Sequence, residues 1–317
     1  MTQMTYADAG KAALAESMRA DPTIWAVGED LGRGGVFGQY MGLEDEFGPE
    51  RIVSAPISEA AIMGSAVGGA LTGTRPVVEL RFADFALCAV DEMVNQAAKA
   101  RYMFGGQAKV PVVIRQPSGM WRSSAAQHSQ MLESWYAHIP GLVVIMPSTP
   151  ADNYGLLKAS IECDDPVVYM EHKDLWDLEG EVLPNHKVEI GKANVVSKGS
   201  DVTIVTWSKS RHVAVKAMSK LTGVSVELID LRSLWPWDRD CVLSSAARTG
   251  HLLVVHEAVR DGGFGAEVVA TAAEEIPSLK VARLGAPRIP IPYAPPLEET
   301  VCVTANDIVA AVKRIAS

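Results

Sequence analysis

The chain is poor in cysteine, in basic charge and in long apolar runs, and each scarcity removes a class of function. Its four cysteines, Cys88, Cys163, Cys241 and Cys302, stand far apart with no Cys-x-x-Cys pair. That spacing suggests neither a disulfide framework nor a cysteine zinc site; it is what buried thiols in a reducing cytoplasm look like. Lys and Arg number 29 against 38 Asp and Glu, a formal net charge of −9. Nucleic acid and anionic membrane surfaces both select basic residues, so neither is an expected partner. No apolar run approaches the roughly 18 residues of a spanning helix. The opening Met-Thr-Gln-Met-Thr-Tyr-Ala-Asp lacks the basic-then-apolar order of a signal peptide. A cytoplasmic globular chain is the expectation.

Nucleotide signatures are missing as well. Gly32-Arg33-Gly34 follows a strand-like run, yet Phe37 stands where a dinucleotide fingerprint needs its third glycine. There is no Gly-x-x-x-x-Gly-Lys-Ser/Thr loop, and His256-Glu257 has no second histidine to make a zinc-binding helix.

What is present is an ordinary globular composition, 48% hydrophobic and 21% charged over 317 residues, enough for two domains with cores of their own. Val- and Ile-rich runs at 24–28, 77–80, 110–115, 142–146, 167–170, 202–207, 224–229, 252–256 and 281–284 read as strands. Helical patterns at 6–20, 58–72, 86–104, 151–162, 210–221, 265–275 and 305–315 alternate with them. Runs that are continuously apolar belong to strands covered on both faces, so the fold class is α/β, with two parallel-sheet domains. Charge, Gly and Pro rise over about 172–200, which places a linker between a domain at 1–185 and one at 199–317. Five prolines within 286–296 predict an extended surface segment before a last strand and helix.

Two residues stand out chemically. Pro-Ile-Ser-Glu-Ala at 56–60 opens a helix with Ser58 as N-cap and Glu59 in the first turn. The helix dipole alone favours a carboxylate there. The same carboxylate suits a more specific task. Hydrogen-bonded to the pyrimidine ring of thiamine diphosphate, it would drive the tautomer shift by which that cofactor deprotonates its own thiazolium, and a dry site of tuned pKa serves that best. The helix carries Gly64, Ser65, Gly68, Gly69 and Gly73, each glycine costing up to ~1 kcal/mol relative to alanine. Close approach of a neighbouring helix or a ligand is the usual compensation. His128 lies in the polar run Ser-Ser-Ala-Ala-Gln-His-Ser-Gln at 123–130, past the end of a parallel strand, where ligands bind in such sheets. An imidazole there can handle substrate protons. Glu29, in Gly28-Glu29-Asp30, also ends a strand. Phe85 heads the pattern at 86–104 and reads as core or as a ring lining the site, while His138, just before Pro140, reads as structural. The Gly-Asp-Gly segment, followed some way on by Asn-Asn, that holds diphosphate and metal in thiamine enzymes is absent. The chain reads as half of an active site, completed by another polypeptide.

Together with 77–85, 91–106, 137–147, 155–166, Glu171-His172-Lys173, 201–205, 229–232, 256–267 and 290–294, these residues resemble a known family over nearly the whole chain. It is that of the β subunits of the thiamine-dependent decarboxylase (E1) component of 2-oxoacid dehydrogenase complexes, whose members serve pyruvate, branched-chain and acetoin dehydrogenases. The resemblance implies a transketolase-like pyrimidine-binding domain, then a transketolase C-terminal domain, in an α2β2 heterotetramer. It implies that Glu59 activates the pyrimidine, that Phe85 stacks beside it and that Glu29 lines the cofactor side. His128 would meet the substrate carboxylate and serve proton transfer as the acyl group passes to lipoamide on a dihydrolipoyl acyltransferase core. The α subunit would bring the diphosphate site and Mg2+. Some relatives hold a structural K+ through backbone carbonyls, and the matching residues here are Val112, Ser160, Cys163 and Asp165. Ala125-Ala126-Gln127 is similar to pyruvate- and acetoin-type enzymes. Gly119-Met120-Trp121-Arg122 departs from the small residues usual in relatives. Trp121 and Arg122 either narrow the pocket, pair with an acidic substrate, or pack against the partner subunit. Two other readings stay open: a split transketolase-like ketol transferase, and a non-catalytic assembly subunit.

Overall fold

The computed structural model describes residues 1–317, which divide into two compact units. The first comprises Met1–Ser118 and Trp135–Ile190. Its strands are β1 (Thr2–Thr5), β2 (Ile24–Glu29), β3 (Ile52–Ala55), β4 (Arg75–Glu79), β5 (Val113–Ser118), β6 (Val143–Ile145), β7 (Val167–His172) and β8 (Glu179–Val182). The main sheet runs β6-β7-β5-β4-β2-β3, every neighbouring pair parallel. Helix Tyr6–Ala20 begins where the Thr5 hydroxyl accepts the Asp8 N–H, and buries Ala9, Ala13, Leu14 and Met18 at helical spacing. These pack with Leu156, Leu157 and Ile161 of helix Pro150–Glu162 over Val77, Val113 and Val167 of the sheet. The two helices run close at Gly10, where a methyl group would come within 2.8 Å of the Asn153 amide nitrogen.

The second unit comprises Gly119–Ser134 and Gly191–Ser317. It holds β9 (Asn194–Ser197), β10 (Val202–Thr206), β11 (Val226–Asp230), β12 (Ser233–Trp235), β13 (His251–Val259) and β14 (Lys280–Ala286). Its sheet runs β14-β13-β10-β11-β9, parallel except for β9, which pairs antiparallel with β11. The last helix, Ala305–Ala316, starts in a reciprocal Thr304–Asp307 capping box and turns Ile308, Ala311, Val312 and Ile315 onto Ile204, Leu228 and Leu253.

Each Val- and Ile-rich run read as a strand is one, and the class is α/β with parallel or mixed sheets, as the sequence predicts. Several local readings need correction. The antiparallel ribbon of β1 with β8 and the edge strand β9 have no continuous apolar run to announce them, and β8 and β9 both fall within the stretch read as a linker. The helix read at 86–104 changes pitch along its length: a 3-10 turn at Phe85–Ala89, a π turn at Glu92–Ala97, then α-helix at Ala98–Met103. The proline-rich segment leads into a helix, Pro295–Val301, rather than a strand, because proline in the first turn is already set for helix. The cysteines are not buried: Cys88 is exposed on the 3-10 turn and the other three are half-buried. His138 is exposed, just past the end of helix Glu133–Ala137. No helix is long and apolar enough to cross a membrane.

Candidate active site

In the first unit the carboxyl ends of β2 and β4 bring charged groups together. Glu29, the last residue of β2, is 7% exposed. Arg81 follows β4 and lies 3.4 Å from the Glu29 carboxylate, while its other terminal nitrogen donates to Asp30 Oδ2 at 2.9 Å. Burial lifts the Glu29 pKa above the ordinary carboxylate value; Arg81 opposes this, and the negative charges of Glu59 and Asp30 reinforce it. Glu29 and Glu59 therefore sense one another, as two groups of one site should.

Glu59 opens helix Glu59–Leu71 and is half-buried, with no hydrogen bond or ion pair from this chain. Ser58 occupies the N-cap position as predicted, but its side chain makes no capping bond. Ala61, Gly64, Ser65, Gly68 and Leu71 form an exposed stripe down the helix. Packing within the chain explains only one of its glycines. A methyl group at Gly69 would meet Thr74 and Trp25 at 3.0 Å, whereas one at Gly68 would meet nothing within 4 Å and one at Gly64 only Glu92 at 4.0 Å. Phe85 is half-buried at the start of its 3-10 turn, edge-on to Phe82 at 5.4 Å. Phe82 meets Phe37, which stacks on Trp176 at 5.5 Å.

Beneath these groups lies a buried network that sequence reading missed. Arg115 on β5 makes two 2.8 Å bonds to Glu171 on β7. Glu79 on β4 accepts Tyr40 at 3.0 Å and Gln39 at 3.1 Å, and burial pushes its pKa up to about 8. The only sequence signal was polar residues within otherwise apolar strands.

In the second unit, Trp121, Arg122 and His128 share the segment Gly119–Ser134, so they are neighbours in the chain and in the fold unit. The Gly119 N–H reaches Gln130 O at 3.4 Å, drawing the two ends of the loop together. Carboxylates from elsewhere in the unit fix its first half: Met120 N–H donates to Glu257 at 2.7 Å, and Ser123 N–H to Glu298 at 3.1 Å. Arg122, Ser123 and Ala125 all adopt left-handed φ, at 47°, 60° and 64°. Such strain gathers where a loop is held for a task. The Arg122 guanidinium lies 4.8 Å over the Trp121 ring, so these two residues pair with each other. His128 ends a short turn, Ala126–His128, and is half-buried. Further along, Glu133 is fully buried, accepts the Trp207 indole at 3.2 Å, and has its pKa pushed up to about 7 by burial.

Val112, Ser160, Cys163 and Asp165 gather where β5 and β7 begin and helix Pro150–Glu162 ends. The Val112 carbonyl accepts Val167 N–H at 2.9 Å, Ser160 O accepts Cys163 N–H at 3.3 Å, and Cys163 O accepts Arg75 at 3.1 Å. A carbonyl has two lone pairs, so each of these three keeps one for a cation.

Two family profiles cover most of the chain. “Transketolase, pyrimidine binding domain” matches residues 2–177, and “Transketolase, C-terminal domain” matches residues 191–308. The 2-oxoisovalerate dehydrogenase subunit beta of Bacillus subtilis (strain 168) is 39% identical over 325 residues, covering 100% of this chain and 99% of that protein. The acetoin:2,6-dichlorophenolindophenol oxidoreductase subunit beta of Cupriavidus necator is 41% identical, covering 95% and 94%. The mitochondrial pyruvate dehydrogenase E1 component subunit beta-1 of Arabidopsis thaliana is 41% identical, covering 98% and 89%. Among solved structures, one titled “Split gene transketolase, inactive beta4 tetramer” superposes with a TM-score of 0.82 at 26% identity, covering 99% of this chain and 98% of that one.

Proposed function

Because the chain belongs to the family of E1 β subunits of thiamine-dependent 2-oxoacid dehydrogenases, we propose that it completes an active site with an α subunit, cleaves a pyruvate- or acetoin-type substrate, and passes the acyl group to lipoamide. The observation that carries this is Glu59: a half-buried carboxylate without a partner in its own chain, heading a helix whose outward glycines have no neighbour in that chain. An acceptor of that kind fits a heterocyclic cofactor offering a ring nitrogen. The glycines leave room for a second polypeptide to approach the backbone.

Thiamine diphosphate, when bound, supplies an acidic thiazolium carbon that adds to the substrate carbonyl and takes up the electrons released by cleavage. In this reading Glu59 holds the proton shared with the pyrimidine nitrogen, and Glu29, kept in place by Arg81, lines the same side. Phe85 offers its ring to the pyrimidine. His128 faces the substrate carboxylate and moves the proton needed during acyl transfer. The Trp121–Arg122 pair narrows the mouth and sets the size of the substrate. Mg2+ belongs to the α subunit with the diphosphate site. K+ would take the spare lone pairs of Val112, Ser160 and Cys163 together with the Asp165 carbonyl, tying two strand starts to a helix end. The assembly proposed is an α2β2 heterotetramer feeding a dihydrolipoyl acyltransferase core in the cytoplasm. Residues 1–185 would serve as the pyrimidine-binding domain and 199–317 as the C-terminal domain.

The relatives named for 2-oxoisovalerate, acetoin and pyruvate are 39–41% identical, so overall identity does not choose among those substrates. It does weigh against ketol transfer, since the transketolase likeness stands at 26%. The test is 2-oxoacid-dependent reduction of an artificial electron acceptor by the copurified α and β chains. Glu59→Gln is expected to lower turnover about 10²–10⁴-fold with little change in melting temperature. Undiminished turnover in that variant would refute the assignment, and turnover supported by an aldose acceptor instead of lipoamide would favour the transketolase reading.

A further inference from the structure

The second unit contains a cavity of about 530 Å³ for which the catalytic reading has no use. The loop Gly119–Ser134 forms one wall, and the ends of β13 and β14 with the following segment form the other. Gln127 and Ser129 line it, but His128 between them does not. The volume lies inside the range of roughly 300–1,000 Å³ typical of small-molecule sites. At about 30 Å³ for each water-sized group, it has room for some fifteen non-hydrogen atoms.

Its lining is mostly apolar, with Met120, Met131, Leu132 and Ile289 among the walls. The polar groups are few and of definite kinds. Arg288 is exposed at the cavity and has no hydrogen bond or ion pair. Ser129 is 2% exposed, and its hydroxyl has no partner. A buried hydroxyl left unpaired carries a desolvation cost that a ligand oxygen would relieve. The one acidic residue in the lining, Glu257, already accepts the Met120 N–H.

We propose that this cavity is a second small-molecule site, which takes an amphipathic monocarboxylate. Its carboxylate would sit on the Arg288 guanidinium, whose paired N–H groups match two carboxylate oxygens, and its chain would lie along the methionine and leucine walls. One free cation opposite one lining carboxylate favours a single negative charge, and disfavours dianions such as phosphate esters. The inference goes beyond the catalytic reading, because occupancy can be measured without turnover.

Calorimetric titration of the assembled α/β complex with butanoate, hexanoate, octanoate and neutral octanamide tests it. Octanoate should bind saturably at one site per β chain. Each two-carbon extension should tighten binding about tenfold or somewhat more, and octanamide should bind at least tenfold more weakly than octanoate. Arg288→Ala, a change at an exposed residue, should reduce octanoate to the affinity of octanamide. Leu132→Trp, which fills the cavity, should abolish both. Absence of saturable octanoate binding by the unaltered complex overturns the proposal. So does octanoate binding that both substitutions leave unchanged, since the ligand would then lie elsewhere, the catalytic cleft included.

Discussion

Both units bury ionisable side chains completely, yet they keep them in opposite charge states. In the first, Arg115 stays charged among groups that answer it: Glu171 makes two bonds to it, and Glu79, its pKa near 8, retains a proton at neutral pH. One cation thus meets one full anion. In the second, Trp207 lies between Glu133 and His256, donating its indole N–H to the first and stacking on the second at 5.2 Å. Burial raises the Glu133 pKa to about 7 and lowers that of His256 to about 4, so both groups favour the neutral form. A paired charge is sensitive to losing its partner and indifferent to mild changes of pH. A desolvated neutral group is the reverse.

The largest expected effect comes from separating the pair in the first unit. Glu171→Leu should cost about 3–5 kcal/mol, because it leaves Arg115 buried and uncompensated, and adding Arg115→Met should restore much of the loss. Urea denaturation of the single and double variants measures both; equal stability of the two would dissolve the contrast between the units.

Next in size is a pH effect in the second unit. The Glu133 carboxyl titrates near 4.5 when unfolded and near 7 in the fold. Between those values the folded chain holds a proton that the unfolded chain has lost, so stability declines as pH rises from 4.5 to 7 and then levels off. Glu133→Gln should remove that decline, gaining on the order of 3 kcal/mol relative to the unaltered chain at pH 8 compared with pH 4.5. Parallel stability–pH curves for the two proteins would refute it.

Smaller effects separate a glycine that packing requires from one that it does not. Gly265→Ala would put a methyl group 2.8–2.9 Å from the His256 ring and should cost about 1–3 kcal/mol. Gly68→Ala has open space and should stabilise the isolated β chain by up to ~1 kcal/mol while weakening its association with the α subunit. Thermal melts of the isolated chain and sedimentation of the complex give the two readouts. Unchanged association in Gly68→Ala would show that no partner approaches that face.

Much of this was legible in the sequence, for an identifiable reason. Central parallel strands such as β4, β7 and β10 are covered on both faces, so they must be apolar throughout and announce themselves. Edge elements face fewer demands: β1, β8 and β9 are short and part-exposed, and nothing in their residues insists on a strand. The chemistry of Glu59 could be read from its place in a glycine-rich helix. The Arg115–Glu171 pair could not, because it depends on β5 and β7 being neighbours although residues 119–166 separate them in sequence. The mutual stacking of Trp121 and Arg122 was equally hidden, since it follows from the left-handed backbone at Arg122 and Ser123 rather than from residue type.

That left-handed backbone bears on how the protein would respond to selection. Arg122, Ser123 and Ala125 each hold a conformation that glycine adopts freely and that costs other residues about 1–3 kcal/mol. A library randomised at these three positions and sorted only for resistance to heat should fill with glycine. Sorted for turnover, it should retain side chains and accept the thermal penalty. The distance between the two populations would measure how much endurance the loop gives up for chemistry.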